Sequence, residues 1–389
     1  MIRVQEANLT VFGPMDDIED GNFYKNSPVY QQIRACLDAV DGSFGALMAD
    51  KHKGYRMPIG GVVAYPRHIS PTGVGYDIGC GNYAVRTSLR PRDLGDIDNL
   101  VTKIREKIVF GIGTTSPLHK GEIEILGIDW KNPLMKDLKQ LAASQLGTIG
   151  GGNHYVDIMN DKDQNVWVAC HFGSRGFGHK IARKTMEILG FKDTMDGPPA
   201  LLEENTPLFD DYLEAMCFAG MYATLGRKMV VEYILDILGA KPVEMISNHH
   251  NFAWSEIIQG EHYWVIRKGA TPLWDKPIFI GGSMGDISAI VEPIPGTTEM
   301  YASLNSAPHG AGRTMSRSQA KKLINMQDVN VYLEKMGVHL YGGGADEAPN
   351  AYRGLSTVLG YHENLRIRTR LWPIVVMMAG KGEEDPYKD

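Results

Sequence analysis

The sequence predicts an α+β fold, because helix-like and strand-like segments follow one another without the strand–helix–strand rhythm of a doubly wound sheet. No repeat, low-complexity tract or Pro/Ser-rich linker divides the chain. Short polar clusters, each with a histidine or cysteine beside small residues, are spread from Asp50 to Arg313. One site therefore draws on most of the chain. We expect a single compact domain over residues 1–389, with mixed sheets.

The individual elements are predicted from helix caps and from the spacing of apolar residues. Predicted helices begin at Ser27-Pro28, at Gly176 (with Gly190 as its C-cap), at Asp210-Asp211 (ending near Gly239) and at the capping-box pair Ser316 and Gln319. Predicted strands cover residues 61–64, 166–170, 263–267, 279–281 and 374–378. The glycine-rich run 147–152 does not have the spacing of a dinucleotide-binding loop, so that alternative is rejected.

Composition and charge limit the possible functions. With 389 residues, of which 43% are hydrophobic, the chain can bury a large core. A net charge of −6 argues against a broadly basic surface for nucleic acid, but it leaves room for local phosphate contacts. Two basic runs follow polar clusters, and each is either a solvated helix face or a phosphate-binding track. They are Arg175, Lys180, Arg183 and Lys184, and then Arg313, Arg317, Lys321 and Lys322.

Targeting and cysteine patterns favour an intracellular protein. No segment is long and apolar enough to cross a bilayer, and the N-terminus lacks the apolar region of a signal peptide. We therefore expect a cytoplasmic protein without membrane contact. Cys36, Cys170 and Cys217 lie in apolar surroundings and are expected to be buried thiols. Cys80 differs, because it lies between two glycines and three residues after Asp77, a setting that suits a thiolate ligand.

The polar clusters supply an aspartate, a cysteine and three histidines, enough for one crowded metal site or two adjacent ones. Neighbouring glycines let the backbone approach an ion or a phosphate closely. Each of these residues alone is more often an ordinary buried polar group, so the metal hypothesis depends on the whole set. The set is Asp77, Cys80, His154, His171 and His250.

His309 lies in a further Gly-rich cluster that leads into a capped helix. A helix N-terminus with Arg313 and Arg317 nearby can hold an anion such as phosphate. A neutral imidazole there could attack phosphorus and form a phosphoramidate. A structural histidine that packs the loop is an equal alternative. The small-residue loop 282–285 and the basic turn 267–270 suit contact with a triphosphate or an RNA backbone, or are ordinary turns.

Taken together, these motifs resemble the RtcB family of GTP-dependent RNA ligases, which join 3′-phosphate or 2′,3′-cyclic-phosphate ends to 5′-hydroxyl ends. The resemblance runs from about Met48 to Arg353, with the motifs in the family's order. In this chain they read GVGYDIGCG, GGGNH, HFGSRGFGH, NHHN, RKGAT, GSMG and HGAGRTMSR. The implied fold is an RtcB-like α+β domain with a central dinuclear metal cleft.

The resemblance also implies roles for individual residues. Two Mn²⁺ ions would be held by Asp77, Cys80, His154, His171 and His250, with Cys80 as the bridge. His309 would receive GMP from GTP. The GTP or guanylate contacts would be Asn153, Asp157, Ser283, Met284, Gly285, Gly310, Ala311, Gly312, Arg313, Tyr352 and Lys381. The contacts to RNA ends or phosphates would be Asp50, His52 and Arg175.

Two of these positions depart from the family pattern. Asp157 stands where the family has a guanine-reading glutamate, and it is one methylene shorter. Met378 occupies the register of the family's C-terminal lysine, and Lys381 arrives three residues later. Lys381 could take over the role of that lysine through a longer loop, and otherwise nucleotide specificity would be relaxed. These departures favour a divergent paralogue within the family.

The partner that the resemblance implies is RNA with a 3′-phosphate or 2′,3′-cyclic-phosphate end and a 5′-hydroxyl end. An archease-type activating protein is the protein partner that the resemblance suggests. One alternative keeps the metal site without ligation, as a metal-dependent phosphoesterase or an enzyme that caps RNA 3′ ends with GMP. Another is a non-catalytic RNA-end binder, which a nucleophilic His309 argues against.

Overall fold

The computed structural model describes residues 3–6, 8–13, 27–117, 124, 126–191 and 194–380 of the 389-residue chain. Its strands are β1 (Arg3–Glu6), β2 (Leu9–Phe12), β3 (Phe44–His52), β4 (Ile59–Tyr65), β5 (His68–Ile69), β6 (Gly81–Thr87), β7 (Tyr155–Asp161), β8 (Val166–Phe172), β9 (Leu202–Glu203), β10 (Pro242–His249), β11 (Asn251–Ile258), β12 (Glu261–Lys268), β13 (Ala270–Pro272), β14 (Ile278–Ile280), β15 (Ser288–Pro293), β16 (Ser306–Pro308), β17 (His339–Tyr341) and β18 (Leu365–Met378). Its α-helices are α1 (Pro28–Leu37), α2 (Pro71–Val74), α3 (Ile97–Arg105), α4 (Lys139–Gln145), α5 (Arg175–Ile188), α6 (Pro207–Leu238), α7 (Thr298–Ala302), α8 (Arg317–Leu323), α9 (Met326–Lys335) and α10 (Leu355–Gly360).

Two large sheets organise the described part of the chain. The first has the strand order β1-β2-β3-β4-β12-β11. The second has the order β10-β6-β8-β7-β18-β15-β14, with β17 beside β18. Neighbouring strands run antiparallel, except that β2 with β3 and β17 with β18 are parallel. This mixture of helices and largely antiparallel sheets confirms the α+β prediction.

The second sheet curls until its two outer strands meet. The side-chain amide of Asn248, in β10, donates to the carbonyl of Phe279 at 3.2 Å and accepts from its N–H at 3.0 Å, so it replaces a backbone pairing with β14. The amide of Asn82, in β6, donates to the same carbonyl. Closure in this way satisfies edge groups that would otherwise be exposed. It also brings the chain segments that follow β10 and β14 to the same end of the sheet.

The long helix α6 packs against β6 and β8 and carries a buried apolar face. It ends as predicted, with Gly239 in the left-handed conformation at a φ of 61°. The prediction of Asp210-Asp211 as its cap is wrong, because Pro207 fixes the first turn and Thr206 is the N-cap. The prediction of a buried Cys217 is also wrong. This thiol is exposed on α6, whereas Cys36 and Cys170 are buried as expected.

The other predicted elements are found close to their expected positions. Ser27 caps α1 by accepting a hydrogen bond from the N–H of Tyr30, and Ser316 forms the predicted capping box with Gln319 at the start of α8. Gly190 takes a φ of 63°, one residue beyond Leu189, the C-cap of α5. The predicted strands fall within β4, β8, β12, β14 and β18, apart from the last residue of the range 279–281. In the described residues, no helix has the length and apolar character needed to span a membrane.

Candidate active site

Four of the predicted metal ligands meet where strands of the second sheet begin or end. Cys80 immediately precedes β6, and His171 is the next-to-last residue of β8. His154 immediately precedes β7, while His250 immediately follows β10. The register pairs Gly81 with both Phe172 and His249, which brings these ends together at one edge. Residues far apart in sequence thus converge because the strands that carry them are neighbours.

Cys80, His154 and His171 form the tightest group. The Cys80 Sγ lies 3.6 Å from His154 Nε2 and 3.5 Å from His171 Nε2. Ligands bound at ~2.0–2.3 Å to one tetrahedral ion are ~3.5 Å apart, so this spacing fits a shared cation. All three side chains are buried. The group therefore fits a metal ion both in donor chemistry and in spacing.

The outer nitrogens of the two imidazoles are held by hydrogen bonds. His154 Nδ1 is 3.0 Å from the carbonyl oxygen of Ile149, and His171 Nδ1 is 2.8 Å from the Oδ1 of Asn82. A ring that donates through Nδ1 keeps the lone pair on Nε2, and Nε2 is the atom that faces Cys80 in both cases. This arrangement is typical of metal-binding histidines, whose far nitrogens are fixed by a second layer of acceptors.

Asp77 and His250 complete the cluster on either side. The Oδ2 of Asp77 lies 3.0 Å from His154 Nε2, and a Cβ at Gly173 would displace this carboxylate. The ring of His250 stacks on His171 with centroids 5.1 Å apart. Its buried Nδ1 has no hydrogen-bond partner among the described residues. Burial lowers the pKa of both His171 and His250 well below the usual value, so both rings are neutral.

A buried arginine that the sequence analysis missed holds the cluster from behind. Arg227, in the middle of α6, is fully buried and donates to the carbonyls of Gly79 at 2.8 Å and Phe172 at 2.6 Å. These carbonyls belong to the residues next to Cys80 and His171. The only signal in the sequence is a charged residue on the apolar face of a long helix. Arg227 thereby fixes two ligand-bearing backbones relative to each other.

Replacing Arg227 by methionine is expected to destabilise the protein by about 2–4 kcal/mol, because two buried carbonyls lose a charged donor. The affinity of the cluster for a divalent metal ion should also fall about 10- to 100-fold, as for other groups that orient ligands. Urea unfolding and calorimetric titration with a divalent metal ion measure the two effects. Lys228→Met is the matched control, because the side chain of Lys228 is exposed on the same helix, and it should change stability by less than about 0.5 kcal/mol. A folded Arg227 variant with unchanged affinity for the metal ion would contradict this role.

His309 faces the same cluster from the opposite side. Its ring lies 4.7 Å from that of His250, and its Nδ1 is 2.8 Å from the Oδ2 of Asp50. The same oxygen accepts the backbone N–H groups of His309 and Gly310. Asp50 lies in β3, where the register with β4 shifts, and it is fully buried. Burial alone raises the pKa of Asp50, but the hydrogen bonds from His309 outweigh it and lower that pKa overall.

An open pocket with an empty volume of about 760 Å³, part of it open to solvent, begins at His309 and His171. Most of the predicted guanylate-binding residues line it, and Lys381 lies outside the described residues. Gly285 follows the lining residue Met284 without lining the pocket itself. The predicted residues in the wall are His52, Asn153, Asp157, Ser283, Met284, Gly310, Ala311, Gly312, Arg313 and Tyr352.

One wall of the pocket is an ion-pair network. Arg313 donates to the hydroxyl of Tyr352 at 2.9 Å and lies over its ring, and that hydroxyl donates to Glu347. Arg317 pairs with both Asp346 and Glu347. The sequence analysis named Arg313 and Tyr352 but missed the two acids, whose partners come from another segment. Asp346 and Glu347 hold both arginines in place, so the guanidinium of Arg317 is already occupied by ion pairs within this network.

Another part of the lining is apolar, with Val376 and Met378 from β18 beside Tyr155 from β7. Asp157 lies in this wall, and its buried Oδ1 has no hydrogen-bond partner among the described residues. Burial raises the pKa of Asp157 well above its usual value. A buried carboxyl without a partner can form a hydrogen bond with a polar group that enters the pocket.

The three residues predicted to contact RNA lie beside different members of the site. Asp50 contacts His309, as described, and the Nδ1 of His52 is 3.0 Å from the backbone carbonyl oxygen of Asp50. Arg175, the first residue of α5, lies with its Nη1 3.1 Å from His154 Nδ1. The basic turn 267–270 is not an exposed contact surface. Arg267 and Lys268 are buried and donate to groups inside the protein.

Comparison with known proteins agrees with this geometry. The family model described as tRNA-splicing ligase RtcB matches residues 34–127 and 128–379. The RNA-splicing ligase RtcB of Escherichia coli K12 is 32% identical in an alignment that covers 82% of this chain and 86% of that protein. The tRNA-splicing ligase RtcB of Aeropyrum pernix is 28% identical in an alignment that covers 83% of this chain and 85% of that protein. Because the family model spans nearly the whole chain and the Cys/His cluster is present, the protein belongs to the RtcB family.

Proposed function

We propose that the protein is an RNA ligase that joins RNA 3′-phosphate or 2′,3′-cyclic-phosphate ends to 5′-hydroxyl ends, using GTP. Its membership of the RtcB family and its relatives named RNA-splicing and tRNA-splicing ligases support RNA joining. One observation carries the chemistry: His309, oriented by the buried Asp50 carboxylate, faces both the Cys/His cluster and the pocket. The catalytic unit in this proposal is one domain over residues 1–389.

The residues at the cluster fit a metal ion, as the spacing of their donors and the fixed outer imidazole nitrogens indicate. We assign two Mn²⁺ ions to a central cleft, where Cys80 and the residues around it would hold them. Burial, reinforced by Asp77, raises the pKa of the Cys80 thiol, so a cation is needed to hold it as a thiolate. When bound, such ions withdraw charge from phosphate oxygens and stabilise a leaving phosphate. The ligands are Asp77, Cys80, His154, His171 and His250.

His309 is the nucleophile in this proposal. Its Nδ1–H donates to the ionised Asp50, which leaves the lone pair on Nε2. Nε2 attacks the α-phosphorus of GTP, a P–N bond forms, and pyrophosphate departs with the electrons of the broken P–O bond. The Asp50 carboxylate stabilises the positive charge that develops on the ring. The product is a histidine–GMP intermediate.

The RNA then takes part in two transfers. An oxygen of the RNA 3′-phosphate attacks the phosphorus held by His309, which restores the free imidazole and gives an RNA 3′ end activated by GMP. The RNA 5′-hydroxyl attacks the activated 3′-phosphorus, releases GMP and forms the phosphodiester. His52 and Arg175, near His309 and His154 respectively, are assigned to the RNA ends and phosphates.

The guanylate is assigned to the pocket beside His309. Arg313, held by Tyr352 and Glu347, suits the charged phosphate end, while the wall of Val376 and Met378 suits a planar base. The unpartnered carboxyl of Asp157 is the polar group available to the base in that wall. Lys381 is retained as a further guanine contact. The remaining contacts assigned to the guanylate are Asn153, Ser283, Met284, Gly285, Gly310, Ala311 and Gly312.

A ligation assay tests this function. With Mn²⁺ and GTP, the protein is expected to join an RNA bearing a 3′-phosphate to one bearing a 5′-hydroxyl, and to release GMP in equal amount. The control substrates have a 3′-hydroxyl and a 5′-phosphate, and they should not be joined. If GMP-capped RNA accumulates without being joined, the protein is a capping enzyme and not a ligase. If the RNA loses its phosphate without any GMP transfer, the protein is a phosphoesterase.

A further inference from the structure

A cluster of aromatic rings lies beside the active site and takes no part in the chemistry described above. His249 and Trp254 are stacked, with centroids 5.4 Å apart and planes 13° from parallel. Trp274 meets Trp254 edge to face at 6.3 Å. Trp274 is 46% exposed, which is unusual for so large an apolar ring. We call His249, Trp254 and Trp274 the aromatic platform.

The platform is rigidly supported from below. The guanidinium of the fully buried Arg267 lies 4.9 Å from the Trp254 ring and 5.9 Å from the Trp274 ring. It is fixed in turn by Glu256 at 2.6 Å, by Ser306 and by the carbonyl of Leu304. Cation–π contact with a buried arginine holds an indole in one orientation. An exposed ring kept in place this way is preorganised to receive another flat group.

The chain connects the platform to the active site twice. His249, the last residue of β10, belongs to the platform, and the next residue, His250, lies against His171. In the β13–β16 pair, Ala270 is opposite Pro308, the residue before His309. Trp274 lies four residues after Ala270, roughly 13 Å along an extended chain. The platform is therefore within a short stretch of RNA from the proposed nucleophile.

We propose that the aromatic platform stacks one unpaired base of the RNA substrate, at Trp274, close to the ends being joined. This inference rests on the proposed RNA-joining function. Aromatic rings stack any base, because every base has a π-face, and proteins that bind single strands use them in this way. The exposed surface at Trp274 suits one base better than a protein partner, since the exposed polar residues Asp275 and Lys276 follow it directly. A stable protein interface needs on the order of 1,000 Å², more than one ring provides.

The test measures binding of single-stranded RNA with a 3′-phosphate to the full-length protein by fluorescence anisotropy. Trp274→Leu is expected to raise Kd about 5- to 150-fold, which corresponds to the loss of one stacked base. Trp274→Phe keeps an aromatic face and should retain most of the affinity. Met245→Ala is the matched control, because Met245 is 62% exposed on β10 but lies outside the platform, and it should leave Kd unchanged.

An abasic residue scanned along the RNA locates the stacked base. In the wild-type protein, one abasic position near the 3′ end should weaken binding, and in Trp274→Leu the same position should have no further effect. Equal effects of the abasic residue in both proteins, or unchanged Kd in Trp274→Leu, would overturn the platform. Equal weakening by Trp274→Leu and Met245→Ala would show that the loss is not specific to the platform, and would also overturn it.

GMP labelling of His309, measured in parallel, distinguishes failure of this inference from failure of the proposed function. If the protein is labelled by GMP but its RNA affinity does not depend on Trp274, the proposed ligase function stands and the platform is rejected. If the wild-type protein stacks RNA at Trp274 but never takes up GMP, the platform stands and the ligase function is rejected. If Trp274→Leu does not fold, the abasic scan with Trp274→Phe carries the test, and absence of any position-dependent effect there overturns the proposal.

Discussion

His309→Ala is expected to abolish covalent labelling of the protein by α-labelled GTP in the presence of Mn²⁺, by at least about 10³-fold. The physical reason is that no other imidazole is both oriented by a buried carboxylate and placed in the pocket wall, among the residues that the structure describes. The bond to the wild-type protein should break in acid, as a phosphoramidate does. Labelled protein is quantified after denaturation, and the modified residue is identified by peptide mapping.

His339→Ala is the control for this experiment, because His339 is exposed at the start of β17, away from the pocket lining. Its labelling should equal that of the wild type. A label that persists in His309→Ala, or that maps to another side chain, would remove His309 from the mechanism. No label in the wild type, with Mn²⁺ demonstrably bound, would favour the phosphoesterase.

Cys80→Ala is expected to weaken Mn²⁺ binding by more than about 100-fold, because loss of a direct ligand costs more than the 10- to 100-fold typical of the surrounding residues. The Cys80 Sγ lies within 3.6 Å of both His154 Nε2 and His171 Nε2, so its loss opens the centre of the cluster. Metal content after dialysis gives the number of ions per chain. Substitution with Co²⁺ adds a readout independent of activity, since a thiolate ligand produces a charge-transfer absorption band that the variant should lack.

Cys217→Ala is the matched control, because this thiol is exposed on α6 and lies outside the cluster. It should retain the metal content and the Co²⁺ band of the wild type. A Cys80 variant that keeps its full metal content would show that the ion is held elsewhere. In that case the spacing of Cys80, His154 and His171 would have another cause.

Local sequence patterns predicted the parts of the fold that depend on neighbouring residues. The caps at Ser27, Ser316 and Gly239 were recognisable because a cap is a short-range device. The cap of α6 was misplaced by a few residues, since Asp210 is a good N-cap type but Pro207 starts the helix earlier. Cys217 was assigned to the core because its neighbours are apolar, yet a helix exposes one face whatever the local composition.

Contacts between distant segments could not be read in this way. The cluster of Cys80, His154 and His171 was anticipated only as a set, and its geometry depends on the order of β6, β8 and β7 in the second sheet. The support from Arg227 was missed because its partners lie in two other segments. The turn 267–270 was left open between a phosphate contact and an ordinary turn, and Arg267 is buried beside two indoles. Pairings of this kind follow from topology, which a single sequence does not state.

The position of β18 has a consequence for biosynthesis. This strand comes last among the described elements, yet it lies in the interior of the second sheet between β7 and β15. A chain still emerging from the ribosome would therefore have two unpaired strand edges, which are prone to pair with other molecules. Once β18 has been synthesised it can insert between them, and only then do Val376 and Met378 complete the pocket wall. Nascent and prematurely terminated chains would thus be candidates for chaperone binding or proteolysis before they could acquire any reactivity towards nucleotides.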